Sequence, residues 1–124
     1  MAAASGAAGA VSHLNEVHLV GRLAAAPVPR ELPSGDVLML FRLVVTRKGP
    51  ARGVADGVRV PTVDTLDCAA WRKDVQRLLG GCRAGDVLEV RGALRRRFWR
   101  SPGGAASRSE VEVVRLRRVL RVAG

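Results

Sequence analysis

The chain has 124 residues and a formal net charge of +10, from 21 Lys+Arg against 11 Asp+Glu. That length holds one small domain with its own core, and the charge calls for a polyanionic partner, with nucleic acid ahead of an anionic membrane surface. No apolar run approaches the ~18 residues of a membrane span. The two cysteines, Cys68 and Cys82, make no disulfide framework and no metal-ligand spacing with histidine, so both read as reduced thiols in a cytosolic protein.

Residues 1–13, "MAAASGAAGAVSH", lack the basic start and long apolar stretch of a signal peptide and read as a short disordered leader. The first strand is expected at residues 14–24. Val17, Leu19 and Leu23 alternate there with His18, Val20 and Arg22, and Gly21 in the interior predicts a bend or bulge. "PVPRELPSGD" follows as a connection with a turn at Ser34 and Gly35. A second strand is expected at 36–47, with Val37, Met39, Phe41, Leu43 and Val45 on one face. Its other face begins with Leu38 and Leu40 before turning polar at Arg42, so part of the strand needs cover on both sides, from a closed barrel and from a subunit contact.

A Gly/Pro/Arg loop occupies 48–61, and a third strand 62–71 places Leu66, Cys68 and Ala70 inward and Thr65, Asp67, Ala69 and Trp71 outward. Val75, Leu78 and Leu79 at helical spacing, with Gly80 and Gly81 behind them, predict one short helix over 72–79. The fourth strand is expected at 87–100 and the fifth at 108–122, separated by a hairpin tip, "SPGGAAS". In the fifth, Val111 and Val113 share one face but Leu116, Leu120 and Val122 the other, which a bulge or a second role for the strand end would explain. Five strands with one helix between the third and fourth is the order of a five-stranded OB barrel, occupying residues 14–122.

The stretch "RGALRRRFWR", residues 91–100, carries five arginines and two of the four aromatics in the chain. Period-two counting puts Leu88, Val90, Gly92, Leu94, Arg96 and Phe98 on the core side, with Phe98 expected to cap the barrel. Arg91, Arg95, Arg97 and Trp99 then project outward. Trp71 repeats the pattern of a large ring on a charged face, which marks an interaction site. Guanidinium groups suit phosphates and flat rings suit unpaired bases, so single strands are favoured over duplex.

These residues resemble those of the bacterial single-stranded DNA-binding proteins, the SSB family, over about residues 14–120. The resemblance is carried by Asn15, Val17, Leu19, Gly21, Leu23, Pro27 and Gly35, by "DTLDCAAWRKDVQRLL", by Gly85, Asp86, Val90, Gly92 and Leu94 in "AGDVLEVRGALRRRFW", and by Glu110 and Val111. It implies an OB fold assembled as a homotetramer, with single-stranded DNA over aromatic and basic residues and roles in replication, recombination, repair or chromosome segregation. Trp71 and Trp99 match two of the family's stacking positions, while two others fall near Gly49 and Thr65, which are not aromatic. Arg47, Lys48, Arg52, Arg59, Arg72, Arg91, Arg95 and Arg97 complete the expected DNA-contacting set. The family's acidic C-terminal tip has no counterpart in "VLRVAG", which fits either a shortened sequence or, the favoured expectation, a short tail-less paralogue in which tail-mediated recruitment of repair proteins is doubtful.

The expected location is cytoplasmic, at the nucleoid, with no membrane partner and no cofactor. Two alternatives stay open: an OB module for RNA or replication restart, and a basic assembly subunit for acidic protein partners. An enzyme is not expected. His13 and His18 lie outside any triad or metal spacing, and Asp64 and Asp67, three apart on a strand, face opposite ways.

Overall fold

In the computed structural model, which describes residues 10–50, 52, 53, 55 and 57–123, the first strand changes partners along its length. β1 (Val17–Leu23) pairs antiparallel with β5 (Val87–Ser101) from Val17 to Arg22, then with β3 (Val37–Thr46) through Arg22 and Leu23. The expected bend at Gly21 is where this happens. A Cβ on Gly21 would run into the carbonyl oxygen of Val44, so only glycine lets β3 close against β1. The remaining strands are β2 (Val28–Glu31), β4 (Val63–Ala70) and β6 (Gly104–Leu120). Their order is β1-β5-β6-β4-β3-β2, and the β1–β3 pairing closes the five longer strands into the OB barrel. All pairs are antiparallel except β4 with β6.

β2 was not expected. Its sequence, VPRE, has no apolar alternation, and all four residues are exposed. Among the described residues it pairs with β3 alone, and a proline such as Pro29 is tolerated on an edge strand. The turn at Ser34 and Gly35 forms as expected, with the Gly35 N–H donating to the Leu32 carbonyl at 2.8 Å. Most of the expected leader, residues 1–9, lies outside the described residues.

The core forms from Leu23, Phe41, Leu43, Leu88, Val90 and Val113, closed at one end by Val75 and Leu79 of α1 (Lys73–Gly80). Each fully buried leucine contributes roughly 1.5–3 kcal/mol relative to exposure. Leu38, Val44 and Ala69, on the opposite face of β3 and β4, are buried as well. Leu78, expected on the inward stripe of the helix, is partly exposed. Among the described residues no helix is long and apolar enough to cross a membrane.

The phase change in the last strand is a bulge. Arg91 pairs with Arg115 and Gly92 with Val113, which leaves Val114 as the extra residue, exposed, and turns Leu116 onto the core. Gly92 is required there because a Cβ would collide with the carbonyl oxygen of Glu112. A second register shift, between Val87 and Leu88, leaves Val119 unpaired in the same way.

Beyond Gly92, β5 outlives the barrel. β1 ends its pairing at Gly92, and Asn15 adds one further link: its side-chain amide donates to the Leu94 carbonyl at 2.8 Å and its carbonyl accepts the Leu94 N–H at 2.9 Å. Past that clamp, among the described residues, β5 pairs only with β6, up to Ser101 opposite Gly104. The expected hairpin tip is therefore mostly strand, with Pro102 and Gly103 alone at the turn. The core-side face of β5 opens to solvent here. Leu88 and Val90 are fully buried, but Leu94 is 50% exposed and Phe98 72%. Phe98 does not cap the barrel; among the described residues no strand lies across from it to make an interior.

Candidate nucleic-acid interface

The outward face of β5 continues onto the arm with unbroken parity. Arg95, Arg97 and Trp99 share it with Arg108 and Glu110 of β6, and the parallel β4–β6 register brings Asp67 alongside. Arg97, Trp99, Arg108, Glu110 and Asp67, together with Leu40 and Arg42 of β3 and Val28 and Arg30 of β2, line a groove of about 840 Å³. Trp99 stands in it 40% exposed, with the Arg108 guanidinium carbon 5.6 Å from the ring centroid, a cation–π distance.

The groove is basic, and three of its arginines are tied to carboxylates. Asp67 takes Arg42 at 3.1 Å and Arg108 at 3.5 Å, and the buried Glu110 takes Arg97 at 3.5 Å. Just beside it, Arg95 donates to Glu112 at 2.7 Å. These pairs fix Arg42, Arg97 and Arg108 in the groove that Trp99 also lines, with Arg108 over the ring. Burial pushes the Cys68 thiol beneath the groove up to about 12, with Asp67 and Glu110 adding to the rise. Cys68 and Cys82 are both free and buried, and the Cys68 thiol stays protonated and inert.

The other expected site residues fall in different places. Arg91 is on the same side of β5 but nearer the barrel, where it lines a second groove with Arg72, Arg115 and Arg117 beside α1. Arg72 is paired there with Asp74 at 3.1 Å, and Arg117 with Glu89 at 2.9 Å. The His18 ring and the Arg117 guanidinium together hold the Glu89 carboxyl below its ordinary range. Arg47 pairs with Asp64 at 2.8 Å, and Lys48, Arg52 and Arg59 are exposed on the loop that follows. Trp71, 43% exposed just past β4, is outside the lining of the Trp99 groove.

The sequence reading missed Arg30, Arg42, Arg100 and Arg108 in the groove lining. Arg42 carried a signal, since alternation in β3 already turned it outward. Arg108 carried none, because only the β5–β6 register sets it opposite Arg97.

A closed OB barrel with a basic, tryptophan-bearing groove on its outer sheet face is the architecture of an oligonucleotide-binding protein. Within that class, the single-strand binding protein family matches residues 14–119, and the chain belongs to it. It is 32% identical over 91 residues to the single-stranded DNA-binding protein of Bacillus cereus, covering 73% of this chain and 51% of that one. It is 31% identical over the same length to single-stranded DNA-binding protein A of Bacillus subtilis, covering 73% and 50%. The chain thus spans about half the length of these relatives. The solved structure of the Plasmodium falciparum SSB in complex with ssDNA shares the fold, with a TM-score of 0.66 at 21% identity over 82% of this chain and 87% of that one.

Proposed function

We propose that the chain binds and protects single-stranded DNA with little sequence preference, through base stacking and phosphate contacts. The observation that carries this reading is the half-open Trp99 ring standing among Arg42, Arg97 and Arg108 in an open groove. A ring beside guanidinium groups takes any base on its face and a phosphate at its edge, whereas a duplex hides its base faces. The names of the relatives and the family membership support the same ligand.

The active form is proposed to be a homotetramer serving DNA replication, recombination or repair at the nucleoid. Among the described residues nothing pairs with the edge of β1 opposite β5 from Val17 to Gly21, which supports subunit contact, as an unpaired strand edge invites a partner. The test is a titration of tryptophan fluorescence with oligo-dT at several salt concentrations, with mass measured by light scattering. Quenching with a strong negative salt slope and much weaker duplex binding is expected. No quenching, or equal affinity for duplex, overturns the proposal, and a monomeric mass overturns the tetramer.

A further inference from the structure

One side chain of α1 reaches back to the end of β4. The Gln76 side-chain amide donates to the Ala70 carbonyl at 2.9 Å and, more weakly, to the Trp71 carbonyl at 3.4 Å. The Gln76 backbone N–H donates to the Arg72 carbonyl at 3.0 Å. One residue thus meets three consecutive carbonyls, with Trp71 in the middle. The same amide donates to the Val37 carbonyl at 2.7 Å, at the start of β3. Every one of these side-chain contacts is to an acceptor, so the Gln76 nitrogen, with its two hydrogens, faces them.

Trp71 lacks other support of this kind. The β3–β4 register ends with Met39 opposite Ala70, so among the described residues Trp71 has no cross-strand partner in that ladder. It stands in the link, residues 71–72, between β4 and α1. Its ring is 43% exposed and lines neither of the grooves described above. A ring on a loose backbone samples many orientations, and these are given up when a base stacks on it. A ring whose backbone is already fixed loses less freedom on binding.

We propose that Gln76 is a positioning residue for single-stranded DNA binding. It touches no base; it pins the backbone of Trp71 so that the ring is ordered before a base stacks on it. This rests on the reading of the chain as a single-strand binder that uses Trp71 as well as Trp99, and the experiment separates the failures. Labelled oligo-dT is titrated by anisotropy against the unaltered protein, Trp71→Ala, Gln76→Ala and the double variant. Gln76→Leu, closer in size and equally without donors, is carried beside Gln76→Ala, and the folding of each variant is checked by denaturant unfolding.

Trp71→Ala should lose roughly 5- to 150-fold in affinity, the range of one stacked base. Gln76→Ala and Gln76→Leu should lose part of that, about 2- to 10-fold, and nothing further once residue 71 is alanine, because residues that act together are not additive. A merely structural Gln76 would lower affinity equally in both backgrounds. With Trp99→Phe, Trp71 is the one tryptophan left, and Gln76→Ala should then enlarge the fast, nanosecond part of its anisotropy decay. No loss from either Gln76 variant, or equal losses with and without the Trp71 ring, overturns this proposal alone. Unchanged affinity in Trp71→Ala removes Trp71 from the interface and this proposal with it, leaving the Trp99 groove. No binding by the unaltered protein overturns the parent reading as well.

Discussion

The two halves of β5 obey one alternation and come to opposite ends. Up to Val90 the even-numbered side chains are core, sealed by β1 and the closed barrel; from Leu94 onward the same face is solvent. The odd-numbered face is outward throughout, yet it becomes the more sheltered side of the arm, because β2, β3 and β4 flank it with a groove. Whether a side chain is inside or outside depends here less on its parity than on how many strands remain beside it.

The largest effect expected from this contrast is on stability. Leu88→Ala in the barrel half should cost about 2–5 kcal/mol in denaturant unfolding, from lost transfer energy and an unfilled cavity. Phe98→Ala in the arm half should stay within about 0.5 kcal/mol of the unaltered protein. Equal losses at the two positions would mean that the arm has an interior after all. At the boundary between the halves, Gly92→Ala forces a methyl group against the Glu112 carbonyl and should cost ~1–3 kcal/mol by the same measurement.

Binding should divide the other way. Trp99→Ala should lose about 1–3 kcal/mol of oligo-dT affinity in a fluorescence-anisotropy titration, with near-normal folding stability. A smaller gain is expected from Asp67→Asn, which frees Arg42 and Arg108 of a shared carboxylate. Exposed ion pairs are worth only ~0.2–1 kcal/mol, so oligo-dT should bind up to about fivefold tighter at low salt. Weaker binding would show instead that Asp67 is needed to hold Arg108 over the Trp99 ring.

The last prediction concerns the barrel's other end. Asp86 is buried and accepts the backbone N–H groups of Val122 at 2.7 Å and Arg83 at 2.8 Å, tying the end of the chain to the turn before β5. These two bonds hold its carboxyl below the ordinary range, with Arg118 and Arg121 adding to the effect. A depressed carboxylate stabilises the fold fully above its unfolded value. That contribution fades as pH falls through about 3.9 and is lost below the folded value. Thermal unfolding of the unaltered protein should therefore decline on acidification, and Asp86→Asn should make the decline shallower.

The sequence by itself determined the barrel: five alternating segments, one short helix, the bend at Gly21 and the outward side of Arg95, Arg97 and Trp99 all follow from local periodicity. Such patterns are readable because a half-buried strand must alternate wherever a core lies behind it. It could not show β2, whose residues are all exposed, nor choose the Val114 bulge, which is a matter of pairing register. Tertiary structure alone decided that β5 runs past its neighbours and turns Phe98 outward. Only register across β4, β5 and β6 gathers Asp67, Arg97, Arg108 and Trp99, which lie far apart in the chain, into one groove.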